Sequence, residues 1–114
     1  MLPNQDEMKN ILISELDNLP KKHKEFIESR MFSLRKKTLE WDYSRADLEI
    51  YECWAFAEIA EFQNQRFVGA AYCKGGFGAM GNPWGLIWLN DDIGSFGMDS
   101  GWFKNLEQLI NEWL

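Results

Sequence analysis

The sequence predicts an α+β protein with a helical N-terminal half of about three helices. A small antiparallel sheet of two to three strands follows, and a C-terminal amphipathic helix packs on it. Three observations lead to this fold class. Apolar residues recur at helical spacing early in the chain and again at its end. All nine glycines fall between Gly69 and Gly101, around two short β-rich runs. At 114 residues the chain is expected to form a single domain, residues 1–114.

The first helix is predicted from Asn4 to Leu19. Asn4 can cap it, and Glu7 lies three residues later, as in a capping box. Pro20 ends it, because the residue before a proline is pushed out of helical geometry. The apolar stripe of this helix consists of Met8, Ile11, Leu12, Leu16 and Leu19.

A second helix is predicted from Lys21 to Leu39, with four apolar residues facing inward: Phe26, Ile27, Met31 and Leu34. Seven basic residues lie between Lys21 and Lys37. They could bind an anion, but a solvated helix face is the favoured interpretation, and the acidity of the rest of the chain argues against nucleic-acid binding.

A third helix is predicted from Ser44 to Gln63. Trp54 and Phe56 share strand parity, but Glu58 breaks it. Alanine and glutamate are frequent, and apolar residues occupy nearly every angle around a helix, which favours a largely buried one.

Two strands are predicted after it, Arg66 to Cys73 and Gly85 to Leu89, with a possible third from Ser95 to Met98. The closing helix is expected to carry Asp99 and Ser100 as capping residues. Its apolar positions are Trp102, Leu106, Leu109, Ile110 and Trp113.

Charge and composition exclude several classes of function. The net charge is −6, and from Thr38 to the C-terminus four basic residues oppose twelve acidic ones, which suits a basic partner. No apolar run is long enough for a membrane span, and the N-terminus has no signal-peptide pattern, so a cytoplasmic location is expected. Cys53 and Cys73 are predicted to be buried free thiols.

The glycine-rich stretch contains G-x-G-x-x-G at Gly76, Gly78 and Gly81. A dinucleotide site would require a helix after this motif, whereas here a predicted strand follows. The motif is therefore interpreted as a tight turn between strands, with Phe77 and Met80 either displayed or tucked in.

Catalytic and metal-binding patterns are weak. His23 is the only histidine, and no nucleophile can be placed beside it. Asp91, Asp92 and Asp99 could bind a hard cation, but their spacing matches no EF-hand loop. We expect no enzyme activity, no cofactor and no metal.

Two tryptophans lie around the second predicted strand. Trp84 and Trp88 have the same parity as Leu86, so all three should point to one face of the sheet. Trp88 is expected in the core, whereas Trp84 could be core or an exposed aromatic platform for a sugar or a protein.

The stretch from Arg66 to Leu109 resembles small bacterial immunity proteins of contact-dependent growth inhibition and related polymorphic toxin systems. The resemblance is carried by GGFGAMGNPWGLIWL and by FGMDSGWFKNLEQLI, which would form a strand, a glycine loop, a second strand, an acidic loop and a capped helix. It implies a cytoplasmic inhibitor. We expect the free protein to be a monomer or a dimer. Such an inhibitor binds one cognate toxin domain, often a basic nuclease, and masks its active site or a required surface.

Loop position and residue type then suggest the partner-binding residues. Asp91, Asp92 and Asp99 would supply charge, and Phe77, Met80 and Trp84 would anchor the partner; this list is a hypothesis. Three alternatives remain open. They are a small-ligand or carbohydrate-binding module that uses exposed tryptophans, a generic protein-interaction domain, and an enzyme with a converging carboxylate pair.

Overall fold

The computed structural model describes residues 3–41, 49–62, 66–77, 81–90 and 101–113. Its elements, in chain order, are α1 (Gln5–Asp17), α2 (Lys21–Glu28), β1 (Met31–Trp41), β2 (Glu49–Phe62), β3 (Arg66–Phe77), β4 (Asn82–Trp88), β5 (Trp102–Phe103) and α3 (Leu106–Asn111). The strands form one antiparallel meander in the order β1-β2-β3-β4-β5. The prediction of a helical N-terminal half and a sheet of two to three strands is therefore wrong, because the sheet dominates.

The first helix begins as the sequence predicts. The Asn4 side chain accepts a hydrogen bond from the Glu7 N–H at 2.8 Å, and the Glu7 carboxylate accepts one from the Asn4 N–H at 3.0 Å. This reciprocal pair is a complete capping box. Met8, Leu12 and Leu16 are buried, whereas Ile13, on the outer side, is 56 % exposed.

Helix α2 ends at Glu28, eleven residues before the predicted end at Leu39. The Ser29 hydroxyl and the Arg30 guanidinium both donate to the Phe26 carbonyl, at 2.9 and 3.0 Å. These bonds satisfy a carbonyl that the helix leaves free, and the arginine charge suits the negative end of the helix dipole. The chain then continues as β1, so the second half of the predicted helix is a strand.

The predicted third helix is also wrong, because residues 49–62 form β2. Trp54 and Phe56 face the helices, while Cys53 and Ala55 face a second apolar cluster on the opposite side of the sheet. A strand covered on both faces is apolar at almost every position, and this pattern resembles that of a buried helix. Residues 44–48 and 63 lie outside the described residues.

The two strands predicted to follow the third helix, Arg66 to Cys73 and Gly85 to Leu89, are confirmed, with somewhat different ends. β3 extends to Phe77, and β4 begins at Asn82, which pairs with Phe77 across the hairpin. Gly81 has φ 68°, a conformation that strongly favours glycine. The G-x-G-x-x-G motif therefore lies at a strand-to-strand connection, as predicted. The possible third strand from Ser95 to Met98 lies outside the described residues.

The C-terminal helix is shorter than predicted. It begins at Leu106, and the Asn105 side chain accepts from the Gln108 N–H at 2.9 Å, so Asn105 is the cap in place of Asp99 or Ser100. Trp102 belongs to β5 and packs on the opposite face of the sheet. Leu109 and Ile110 are fully buried, as the helical spacing predicts.

The three helices and one face of the sheet form the larger core. Trp84, Leu86 and Trp88 all contribute to this face, which confirms the parity prediction. The ring of Trp84 packs edge-on against Phe56, with ring centroids 5.7 Å apart. The N-terminal segment is fixed to the same core, because the Trp54 indole N–H donates to the Pro3 carbonyl at 2.8 Å.

The other face of the sheet is concave. The Lys37 ammonium group on β1 donates to the Leu89 carbonyl at the end of β4, at 3.3 Å. On a flat sheet these two strands would be about 14 Å apart, well beyond the reach of a lysine side chain. The sheet must therefore curl until β1 approaches the end of β4. The smaller core lies on this concave face, and its members include Leu39, Cys53, Ala55, Ala71, Cys73, Ile87 and Trp102.

Candidate functional site

An open cavity of about 550 Å³ lies at one end of the concave face. We call it the β1–β4 groove, and it is lined by Phe32, Ser33, Arg35, Glu58, Phe67, Leu89 and Asn90. The volume falls within the range of ligand pockets. These residues come from β1, β2, β3 and the end of β4, so the groove exists only in the folded sheet.

Irregular strand pairing creates the groove. Between Met31 and Arg35, strand β1 advances four residues while its partner β2 advances two, from Ala57 to Ala55. Strand β2 itself carries two further register shifts against β3, on either side of Glu58. Bulges bend strands and redirect side chains, and they are common at the rims of curved sheets. They place Phe32 and Glu58 around the same opening.

The wall formed by β3 and β4 is held by short hydrogen bonds. The Phe67 N–H donates to the Asn90 side-chain oxygen at 2.6 Å, and the Phe67 carbonyl accepts from the Leu89 N–H at 2.8 Å. Leu89 lies so close to Gly69 that a methyl group there would fall 2.4 Å from its side chain. Phe67 and Leu89, which line the groove, are therefore held in place before any partner binds.

The rim carries one charge of each sign. The Arg35 guanidinium lies 4.8 Å from the centre of the Phe32 ring, at cation–π distance. Glu58 is exposed, and its carboxylate forms no ion pair with a residue that the structure describes. Asn90, which also lines the groove, is followed directly in the sequence by Asp91 and Asp92.

A second, smaller cavity of about 210 Å³ lies between α1 and α3. It is lined by Glu15, Asn18, Leu19, Asn105 and Glu107. Glu15 already accepts a hydrogen bond from the Leu106 N–H at 2.9 Å, so it serves to fix the start of α3. At the C-terminal end of α3, His23 Nε2 contacts the Asn111 side-chain oxygen at 2.6 Å, which makes this half-buried histidine a link between α2 and α3.

The two cysteines are buried and do not form a disulfide with each other, as predicted. Burial is the main cause that raises the pKa of the Cys53 thiol, and the neighbouring Cys73 raises it further, while Lys37 opposes the shift. Burial also raises the pKa of Cys73 to about 11. Both groups therefore remain thiols at neutral pH, and the thiolate is the reactive form.

We expect both cysteines to resist alkylation in the folded protein. In native buffer at pH 8, iodoacetamide should modify neither thiol during a period that fully modifies a model thiol peptide. In 6 M guanidinium (about the concentration that unfolds very stable domains) both should react, as counted by intact mass. Rapid labelling of either cysteine in the native protein would show that the concave face opens readily.

The structure describes few of the partner-binding residues that the sequence suggested. Trp84 is 3 % exposed and lies in the core, so its ring offers little surface to a partner. Phe77 ends β3, but its side chain is outside the described part, and so are Met80, Asp91, Asp92 and Asp99. Those five residues remain predictions. Phe32 and Phe67, which line the groove, were both missed. Phe32 was missed because β1 was assigned to a helix, and Phe67 because the sequence does not show that its strand lies near Phe32.

The alternative functions find limited support in the described residues. Five tryptophan side chains are described, Trp54, Trp84, Trp88, Trp102 and Trp113, and each is buried or half-buried. An exposed tryptophan platform is therefore absent from that part of the chain.

No three His, Cys, Asp or Glu side chains within the described ranges converge as a metal site. No helix in these ranges has the length and hydropathy needed to span a membrane.

Comparison with known proteins gives no further assignment. No protein-family model, curated protein or solved structure matches this chain.

Proposed function

We propose that this chain is a cytoplasmic immunity protein that binds a cognate toxin domain, a basic nuclease, and neutralises it by masking its active site or a required surface. The proposal is supported by the resemblance of residues 66–109 to such proteins. It is also supported by the acidic excess of the chain after Thr38.

The observation that carries the proposal is a set of exposed carboxylates. They are Glu52, Glu58, Glu61, Glu107 and Glu112, all downstream of Thr38. None of them forms an ion pair with a described residue, so their negative charge is directed to solvent. The electrostatic field of these carboxylates accelerates the association of a basic partner and disfavours the binding of acidic proteins.

Masking needs no chemical step by this chain. Acidic groups would attract the toxin and occupy the place of the phosphates of its substrate. A small number of apolar contacts would then slow dissociation, because a few buried anchors carry most of the binding energy in protein interfaces. Asp91, Asp92 and Asp99 remain proposed sources of this charge.

A binding measurement tests this function. The toxin candidate is the C-terminal domain of any large secreted protein encoded directly upstream, made as an inactive variant. Isothermal titration calorimetry should give a one-to-one complex whose affinity falls as salt is raised. An upstream gene for a metabolic enzyme, or a toxin domain that does not bind, would contradict the proposal.

The acidic pair after β4 gives a sharper prediction. The double variant Asp91→Asn/Asp92→Asn should bind the toxin domain at least about ten-fold more weakly, since close interfacial charge pairs contribute more than 1.4 kcal/mol. Its affinity should also depend less on salt. The control Asp6→Asn/Glu28→Gln removes the same charge from exposed positions upstream of Thr38. Equal affinities for the two variants would remove Asp91 and Asp92 from the interface.

A further inference from the structure

We propose that Cys53 and Cys73 form a redox-sensitive cross-strand pair. A small disulfide, of the class of oxidised glutathione, converts the two thiols into one internal disulfide bond that locks β2 to β3. The inference is independent of the proposed function, because it concerns two residues that are buried on the concave face of the sheet.

The register of the sheet places the two cysteines opposite each other. Trp54 pairs with Tyr72 in the antiparallel ladder of β2 and β3, so Cys53 and Cys73 occupy the next position of the same register. Both side chains belong to the smaller core, on one face of the sheet. Opposed residues of antiparallel strands have Cα atoms about 4.5–5.5 Å apart, and disulfides join Cα atoms about 4.4–6.8 Å apart. A bond therefore requires only a small adjustment of the side chains.

The surroundings of the pair favour a bond between the two sulfurs. The next opposed pair on the same face is Ala55 and Ala71, whose small side chains leave room for the sulfurs to approach. Burial is the main cause that raises the pKa of the Cys53 thiol, and the second cause is the charge that Cys73 carries as a thiolate. This second effect indicates that the two sulfurs lie within electrostatic range of each other.

The oxidation proceeds by two successive thiol–disulfide exchanges. One cysteine thiolate attacks a sulfur of the small disulfide, which forms a mixed disulfide and releases one thiolate of the reagent. The second cysteine thiolate then attacks the protein sulfur of that mixed disulfide, and the other half of the reagent leaves. The two protons lost by the cysteines end on the two released thiolates. Two protein thiols are thus oxidised, and one small disulfide is reduced to two thiols.

Burial limits the conditions under which this chemistry occurs. Cys53 is 0 % exposed and Cys73 is 2 % exposed, so a reagent reaches them while the chain folds or when the strands separate locally. Oxidation of the folded protein is therefore slow. The same burial protects the disulfide from reductants once it has formed.

The bond stabilises a part of the sheet where strand pairing is irregular. Strand β2 shifts its register against β3 between Ala55 and Ala57, just beyond the cysteine pair. A covalent link between two opposed residues excludes every slipped register of these strands. A disulfide also restricts the unfolded chain, which raises the relative stability of the folded state. The oxidised protein is therefore expected to be the more stable form.

The test refolds the full chain from guanidinium in buffers of reduced and oxidised glutathione. Remaining thiols are then alkylated under denaturing conditions, and the intact mass distinguishes an internal disulfide from a glutathione adduct. At equilibrium the internal disulfide should be favoured at least about 30-fold more in the folded chain than in the chain kept in guanidinium. The oxidised protein should also unfold at a urea concentration about 1 M higher than the reduced protein.

The control is the double variant Cys73→Ala/Lys74→Cys, which moves the second thiol to the next residue of β3. Lys74 is exposed, and the alternation of side chains along a strand directs it to the other face of the sheet. The loop that the bond closes in the unfolded chain is almost unchanged, so both proteins should be oxidised alike in guanidinium. After refolding, the control should carry glutathione adducts instead of an internal disulfide.

A favoured internal disulfide and a raised urea midpoint in the wild-type protein, with neither in the folded control, support the inference. Glutathione adducts on the refolded wild-type protein, a disulfide between two chains, or two free thiols at every glutathione ratio would overturn it. An oxidised protein that is less stable than the reduced one would also overturn it, because the bond would then distort the sheet. The wild-type measurements decide the question even if the control variant does not fold.

Discussion

Phe56→Ala is expected to lower the free energy of unfolding by about 3–5 kcal/mol, the usual cost of deleting a buried phenylalanine ring. Phe56 is fully buried and packs edge-on against Trp84, in the core between the sheet and the helices. Its removal would lose the buried apolar area and leave a cavity beside a rigid ring. Urea denaturation, followed by tryptophan fluorescence, measures the change.

Ile13→Ala is the control for this measurement. Its side chain is 56 % exposed, so the same technique should give a change of about 0.5 kcal/mol. A loss below about 1 kcal/mol for Phe56→Ala would mean that β2 does not pack its Phe56 face against the helices.

Gly85→Ala should destabilise the protein by about 1–3 kcal/mol, although it adds a single methyl group. The Trp102 ring lies against Gly85, and the new Cβ would fall 2.1 Å from a ring atom. An indole ring cannot bend away, so either β5 or β4 must move. The near-ultraviolet circular dichroism of the tryptophans should change together with the unfolding midpoint.

Gly69→Ala is the matched comparison on the neighbouring strand. Its Cβ would fall 2.4 Å from the Leu89 side chain, which can turn to another rotamer. The cost should therefore be smaller than for Gly85→Ala. Equal stability of Gly85→Ala and the wild-type protein would contradict the packing of β5 on the concave face.

Local signals in the sequence predicted some elements correctly. The capping box of Asn4 and Glu7, and the shared face of Trp84 and Trp88, depend on neighbouring residues or on simple parity. The strand that follows the G-x-G-x-x-G motif excluded a nucleotide loop, and Gly81 indeed adopts a left-handed turn conformation. Short-range chemistry decides each of these features.

Long-range packing decides the features that the sequence did not predict. Strand β2 is apolar on both faces only because helices cover one side and the curled sheet covers the other. Its register shifts near Glu58 also interrupt the alternation that identifies a strand. Helix α2 stops where Ser29 and Arg30 bind the Phe26 carbonyl, and such side-chain caps leave only a weak signal in the sequence.

The candidate site was predictable only in part. The acidic segment after Asn90 is evident in the sequence, and Asn90 itself lines the groove. The groove itself was not predictable, because Phe32 and Phe67 are 35 residues apart and meet only through the bulge in β1 and the curvature of the sheet. Trp84 was suggested as an anchor by its place beside Pro83, yet its parity places it in the core.

Survival of cells that express the toxin tests the central claim most directly. The upstream-encoded toxin domain is induced in a bacterial host, with or without this chain on a second plasmid. The account predicts that the wild-type chain restores colony counts to those of cells with an inactivated toxin domain, and that Asp91→Asn/Asp92→Asn restores fewer. Equal killing with and without the chain, at confirmed expression of both proteins, would contradict it.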